Sequence, residues 1–138
     1  MSAIGEAFRT KLLSYTAVSN IVGQRMYPDV LALNCQLPAI LFYCSYTERE
    51  HYLGGLTKFA SARFTVECYG STRTACATLS NAIRNTGIDA FRGVVSGYTF
   101  CGVEYDSSDE YRYEAPTDGN IPVRYLCSFD LTIHYKEI

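Results

Sequence analysis

The chain lacks tryptophan and carries only two histidines in 138 residues. It contains no CxxC, HExxH, GxSxG or GxxxxGK[ST] motif. Each absence removes a readable class of chemistry. Without paired Cys/His spacing there is no sequence case for a zinc site. Without a nucleophile elbow or a phosphate loop, two common signatures of hydrolases and nucleotide-binding proteins are missing. VVSGY at residues 94–98 comes nearest to an elbow, but its first glycine is displaced and a strand, not a helix, follows. Neither charge sign dominates: 12 Lys and Arg face 14 Asp and Glu, a formal net charge of −2. The basic surplus of a dedicated nucleic-acid binder is absent. No apolar run approaches the ~20 residues of a bilayer-crossing helix. The opening MSAIGEAFRTKLLSYT carries Glu6 early and has no continuous apolar centre, so it does not read as a secretory signal. The expectation is synthesis in a cytosol and no membrane partner.

What is present describes a folded globule. Hydrophobic residues make up 48% and charged residues 19%, and the length suits one domain spanning 1–138. The cysteines Cys35, Cys44, Cys68, Cys76, Cys101 and Cys127 read as thiols packed like small hydrophobes, since neither secretion nor metal spacing is visible. Twelve tyrosines are the compositional oddity. They serve either strand packing or an interface, where a ring that packs and a hydroxyl that bonds are both useful.

Periodicity then orders the chain. Ile4, Ala7, Phe8, Leu12 and Tyr15 share one helical face, with Ser2 as its cap. A short second helix is expected from a Thr16 cap, with Val18, Ile21 and Val22 inward and Gly23 at its end. Pro28 then blocks further helix, and residues 29–37 read as a loop. Ala39–Tyr46 reads as a strand with Ile40, Phe42, Cys44 and Tyr46 on one face. The charged, glycine-paired TEREHYLGGLTK at 47–58 reads as a long hairpin tip. The next strand, Ala60–Tyr69, alternates Ala62, Phe64, Val66 and Cys68 against polar neighbours. A central helix capped by Ser71 is expected to bury Ala75, Leu79, Ala82 and Ile83 and to end at Gly87. A loop through Gly93 and Gly97, a strand Tyr98–Tyr105 resumed at Tyr111–Glu114, a turn at 116–120 and a final strand Pro122–Lys136 complete the series. The predicted class is α+β in the order ααββαββ. Its mainly antiparallel sheet carries the N-terminal, short second and central helices on one face.

Candidate chemistry is sparse. His51 falls in the expected hairpin tip and His134 on the polar side of the last strand, outside any motif. Asp106, Asp109 and Glu110 suggest either a cation site or a solvated loop, but lack EF-hand spacing. Glu48, Arg49 and Glu50 alternate in sign, as in a solvated turn or a polar contact to a neighbour. No catalytic, cofactor-binding or metal-binding residue is assigned.

The junction of GQRMYP (23–28) with PAILFYCSY (38–46) resembles the tail-completion, or tail-terminator, family of long-tailed bacteriophages. Gly23, Arg25, Met26, Tyr27, Pro28 and Pro38 match that family's sequence of short helix, Arg–apolar–Tyr–Pro, loop and Pro-led strand. ARFTVECYG, STRTACATLSNAI and YLCSFDLTIHY follow in the same order. The cysteines and the long 106–121 segment have no counterpart in the pattern.

The resemblance implies a non-enzymatic virion protein of the tail or neck, assembled in the host cytoplasm and without cofactor. Its copies form a ring, usually hexameric, that ends tail-tube growth and joins the tail to the head connector. Its partners are other copies of itself, the tail tube protein and the connector or stopper. DNA crosses the lumen without specific binding, which a mildly acidic chain suits. Arg25, Tyr27, Glu48, Arg49, Glu50, His51, Tyr52, Asp106, Asp109 and Glu110 are the candidate subunit or neck contacts. Tyr27→Ala should cost roughly 2–4 kcal/mol if the ring lies in the core. The alternatives are another neck protein, a connector or stopper, or a small α+β ligand-binding module. A hydrolase or nuclease using the acidic group and a histidine is a further class.

Overall fold

The computed structural model describes residues 3–31, 36–52, 55–86, 92–105, 110–114 and 124–137. Helices α1 (Ala3–Leu13) and α2 (Thr16–Val22) precede strands β1 (Met26–Pro28), β2 (Ala39–Tyr52) and β3 (Gly55–Gly70). Helix α3 (Arg73–Arg84) leads to β4 (Gly93–Val95), β5 (Tyr98–Tyr105), β6 (Glu110–Glu114) and β7 (Arg124–Lys136). The fold is α+β. Its seven-stranded sheet has the order β1-β2-β3-β7-β5-β4, with β6 also paired to β7. β1 is parallel to β2, and the other described pairings are antiparallel.

Alternation explains which face the helices cover. Ala62, Phe64, Val66 and Cys68 of β3 are all buried, as are Cys127, Phe129, Leu131 and Ile133 of β7. The two sets meet in register, with Phe64 opposite Leu131 and Val66 opposite Phe129. Helix α1 adds Phe8, whose ring stacks on Phe64 at 4.7 Å and meets Phe42 edge-on at 5.7 Å. Val18 and Val22 of α2 join the same core, and so do Cys76, Leu79 and Ile83 of α3. Burying such side chains contributes about 1.5–3 kcal/mol each and drives helices and sheet together. Gly70, at the end of β3, allows the closest approach. A Cβ there would lie 2.8 Å from the Cys76 nitrogen and 2.9 Å from the Ala75 Cβ.

Several local expectations change. Tyr15, not Thr16, occupies the N-cap of α2 and makes no side-chain cap bond. Ser2 lies outside the described residues. Thr72, not Ser71, caps α3, its Oγ1 accepting from the Ala75 N–H at 3.1 Å. The buried stripe of α3 is Cys76, Leu79, Ser80 and Ile83, so Ala75 and Ala82 sit at its margin. Asn85 is the C-cap, and Gly87 lies outside the described residues. Gly23 does adopt a positive φ of 61° after α2.

The largest change concerns residues 47–58. β2 and β3 remain paired from Thr47↔Ala62 to Tyr52↔Gly55, so most of the expected tip is strand. The final pairing of β7 joins Lys136 to Phe59, and the ribbon continues beyond it. Its polar composition carries no apolar alternation, so the pattern alone reads it as a turn. A bulge between Cys44 and Tyr46 also reverses the side-chain pattern. Tyr46 therefore opposes Arg63 on the outer face instead of joining Cys44 over the core.

The expected loop at 93–97 is a hairpin. Val95 pairs with Tyr98, and the two residues between them, Ser96 and Gly97, have φ of 52° and 88°. Two successive positive φ values are what a tight primed turn requires. β5 and β6 lie in succession along one side of β7, with Tyr105 opposite Leu131 and Glu110 opposite Ser128. The turn expected at 116–120 lies outside the described residues.

Candidate functional site

The outer face of the sheet lies opposite the helix-covered core and is organised by side-chain pairs. Its centre is polar and internally matched. Arg63 Nη2 donates to Asp130 Oδ2 at 2.7 Å, and Thr65 Oγ1 donates to Asp130 Oδ1 at 2.8 Å. Burial pushes the Asp130 carboxyl up, but these two hydrogen bonds and the Arg63 charge outweigh it and hold the group below its ordinary value. Nearby, Glu67 is almost buried and accepts from the Tyr69 hydroxyl at 2.9 Å and from Arg112 Nη2 at 3.4 Å. His134 Nε2 lies 3.2 Å from Glu104 Oε1 on the exposed side. Leu41, Tyr69 and Leu126 form a small apolar cluster at one corner, packed by Leu31 and Leu37 from the segment joining β1 to β2.

The junction singled out in the sequence is a knot within the chain. Arg25 Nε donates to the Pro38 carbonyl and Arg25 Nη2 to the Ile21 carbonyl, both at 3.0 Å. Arg9 reaches the same turn from α1, donating to the carbonyls of Met26 and Gln24 at 3.0 Å each. Two planar donor forks thus satisfy carbonyls at the end of α2 and the start of β1 and β2. Sequence reasoning missed Arg9, because a helical arginine gives no local sign of a carbonyl partner 15 or 17 residues away. Tyr27 pairs with Leu41 on the outer face, while the adjacent core position belongs to Met26. The Tyr27 ring is therefore part-buried outside the main core, and the condition attached to a large Tyr27→Ala cost is not met.

The other candidate contacts are dispersed. Glu48 is exposed opposite Ser61, and Arg49 Nε donates to Glu137 Oε1 at 2.7 Å. Glu50, His51 and Tyr52 continue β2, but their side chains lie outside the described residues. Asp106 and Asp109 lie outside them entirely, and Glu110 begins β6 with Oε1 3.9 Å from Arg112 Nε. The structure does not bring the acidic group and a histidine together among the described residues. Nor do three His, Cys, Asp or Glu side chains gather there in a way that could hold a metal.

Two hollows accompany these surfaces. One of about 240 Å³ is lined by Arg73, Cys76, Tyr111, Arg112, Tyr125 and Leu126. The Arg73 guanidinium lies 4.8 Å from the Tyr111 ring centre. The other, about 180 Å³, lies beside Pro28, Asp29, Tyr43 and Cys44. Burial pushes the Cys44 and Cys76 thiols up, which disfavours the thiolate that nucleophilic chemistry needs.

The class these observations define is an α+β protein built on one mixed sheet with helices on one face. A scan of protein families finds no match to this chain, and a search of curated proteins finds none either. Among solved structures, the fold is similar to a chain from the virion of a native gene transfer agent particle. The TM-score is 0.61 at 12% identity, and the match covers 99% of this chain and 99% of the other. No helix among the described residues is long and apolar enough to cross a membrane.

Proposed function

We propose that this chain is a structural virion protein of the tail-terminator kind. In this reading its copies form a hexameric ring at the head-proximal end of a tail. The ring ends tube growth and presents a surface to the head connector. The observation that carries the virion reading is end-to-end likeness to a gene transfer agent virion chain. The GQRMYP–PAILFYCSY junction and the order of later segments support the terminator assignment independently. The knot of Arg9 and Arg25 gives that junction a physical role, because it locks the helical layer to the sheet.

Self-matched charge on the outer face agrees with a protein that lets DNA pass without gripping it. Guanidinium groups engaged by carboxylates are less available to phosphates. Electron cryomicroscopy of particles carrying this chain with a small label tests the reading. A labelled ring between tube and connector is expected. A ring that contacts the portal side alone would assign a connector or stopper role, and absence from particles would overturn the virion reading.

A further inference from the structure

We propose that Cys68 of β3 and Cys127 of β7 are a modification site: exchange with a small-molecule disulfide joins them in an intrachain bond that locks the two strands, and Cys76 of α3 is the thiol through which the reagent enters. The proposal does not depend on the virion reading.

Cys68 and Cys127 are thiols that face each other across the β3–β7 ladder, both fully buried on the helix-covered side. The sense of that pair follows from the strands beside it. The Ile40 N–H donates to the Arg25 carbonyl at 2.9 Å, so Ile40 turns its peptide groups away from β3. Cys68, the partner of Ile40 on β3, therefore turns its own toward β7. A hydrogen-bonded antiparallel pair holds its Cα atoms about 5.5 Å apart, inside the range a disulfide spans. Cβ atoms of opposed residues lie about 4.5–5.5 Å apart, so they close by roughly 1 Å to make the bond.

Cys76 completes the group from α3. Its nitrogen lies 2.8 Å from where a Cβ on Gly70 would stand, and Gly70 shares a face with Cys68. Burial first, and the neighbouring Cys127 among the lesser causes, push the Cys76 thiol up, so its exchange is slow. Cys76 also lines the hollow of about 240 Å³, together with Tyr125 and Leu126, the residues that precede Cys127. A reagent in that hollow meets Cys76 before the pair beneath it.

The Cys76 thiolate attacks one sulfur of the reagent and expels a first thiolate. Cys127 attacks the Cys76 sulfur and expels the second. Cys68 then attacks the Cys127 sulfur and returns Cys76 to a thiol. The protons of Cys68 and Cys127 leave on the two released thiols, and the reagent is the oxidant. The bond closes the segment carrying α3, β4, β5 and β6 onto two adjoining strands of the sheet, which restricts the unfolded chain. A chain made in a reducing compartment acquires it only in oxidising surroundings.

The test treats the full chain with oxidised glutathione at about pH 8.5, near the ordinary thiol value, and maps bonds in alkylated digests by mass spectrometry. A Cys68–Cys127 peptide pair is expected, with a melting temperature above that of the reduced chain and restored to it by a dithiol. Cys76→Ala should slow the bond about tenfold or more and leave its identity unchanged. Cys68→Ala should stop the exchange at Cys76–Cys127. Cys68 and Cys127 still open to alkylation once the treated parent is unfolded, a bond joining other cysteines, a bonded chain that melts no higher, or an unchanged rate in folded Cys76→Ala would overturn the proposal. The parent alone decides the identity of the bond, so a variant that fails to fold does not remove the test.

Discussion

The two faces of this sheet follow different rules. On the helix-covered face, Phe42, Phe64, Leu131 and Ile133 are shielded from water and packed against three helices. On the other, Arg63, Thr65 and Asp130 are part-exposed and matched by hydrogen bonds. Adjacent residues of one strand, Phe64 and Thr65, therefore answer to different forces. The core face gains by removing apolar area from water, whereas exposed ion pairs contribute little net stability. Stability is therefore concentrated on the helix-covered side.

The contrast is broken most severely by Phe64→Ala. Removing the ring that touches both Phe8 and Phe42 leaves a cavity at the meeting point of α1, β2 and β3. A loss of about 3–5 kcal/mol is expected from chemical denaturation. A loss below about 1 kcal/mol would mean that this cluster does not organise the core. Gly70→Ala comes next, at about 1–3 kcal/mol, because its new methyl meets the first turn of α3, including backbone that cannot rotate away. A melting temperature equal to the parent's would show that α3 shifts freely against β3.

Arg25→Met sharpens the comparison, since it changes the seam between helices and sheet without opening the aromatic core. It leaves the Pro38 and Ile21 carbonyls without their guanidinium donor, at an expected cost of about 1–3 kcal/mol. Arg25→Lys should recover only part of this, because one ammonium does not reproduce a two-armed fork. Full recovery by lysine would show that charge alone, not geometry, holds the junction.

Sequence made the core face legible because burial imposes a period. The alternation in β3 identified Ala62, Phe64, Val66 and Cys68 directly. The same logic failed at Tyr46, where one extra residue reverses the faces and leaves no mark in composition. It failed again in 47–52, where polar residues without apolar alternation pair with β3 as strand. Arg25 was legible as part of the junction and as a candidate contact, but its internal carbonyl partners were not, and Arg9 was invisible because its bonds join distant segments. Outer-face pairs such as Arg63–Asp130 depend on strand register, which pattern alone does not specify between distant segments.

The mildest disturbance is Asp130→Asn on the outer face. With side-chain exposures of 36% for Arg63 and 30% for Asp130, solvent screens the pair, and the expected loss near neutral pH is below about 1 kcal/mol. Acid separates this interaction from a bland surface pair. The folded carboxyl titrates below its ordinary value despite its burial, since Arg63 and Thr65 favour the charged form. Its contribution is thus fully present above the unfolded carboxyl value of about 3.9 and declines as pH falls through the lower folded value. The parent's melting temperature should fall more steeply than the variant's across that acid window, bringing the curves together. Curves that remain parallel there would mean that Asp130 gains no preference for its charged form on folding, and that the outer-face match is geometric without being stabilising.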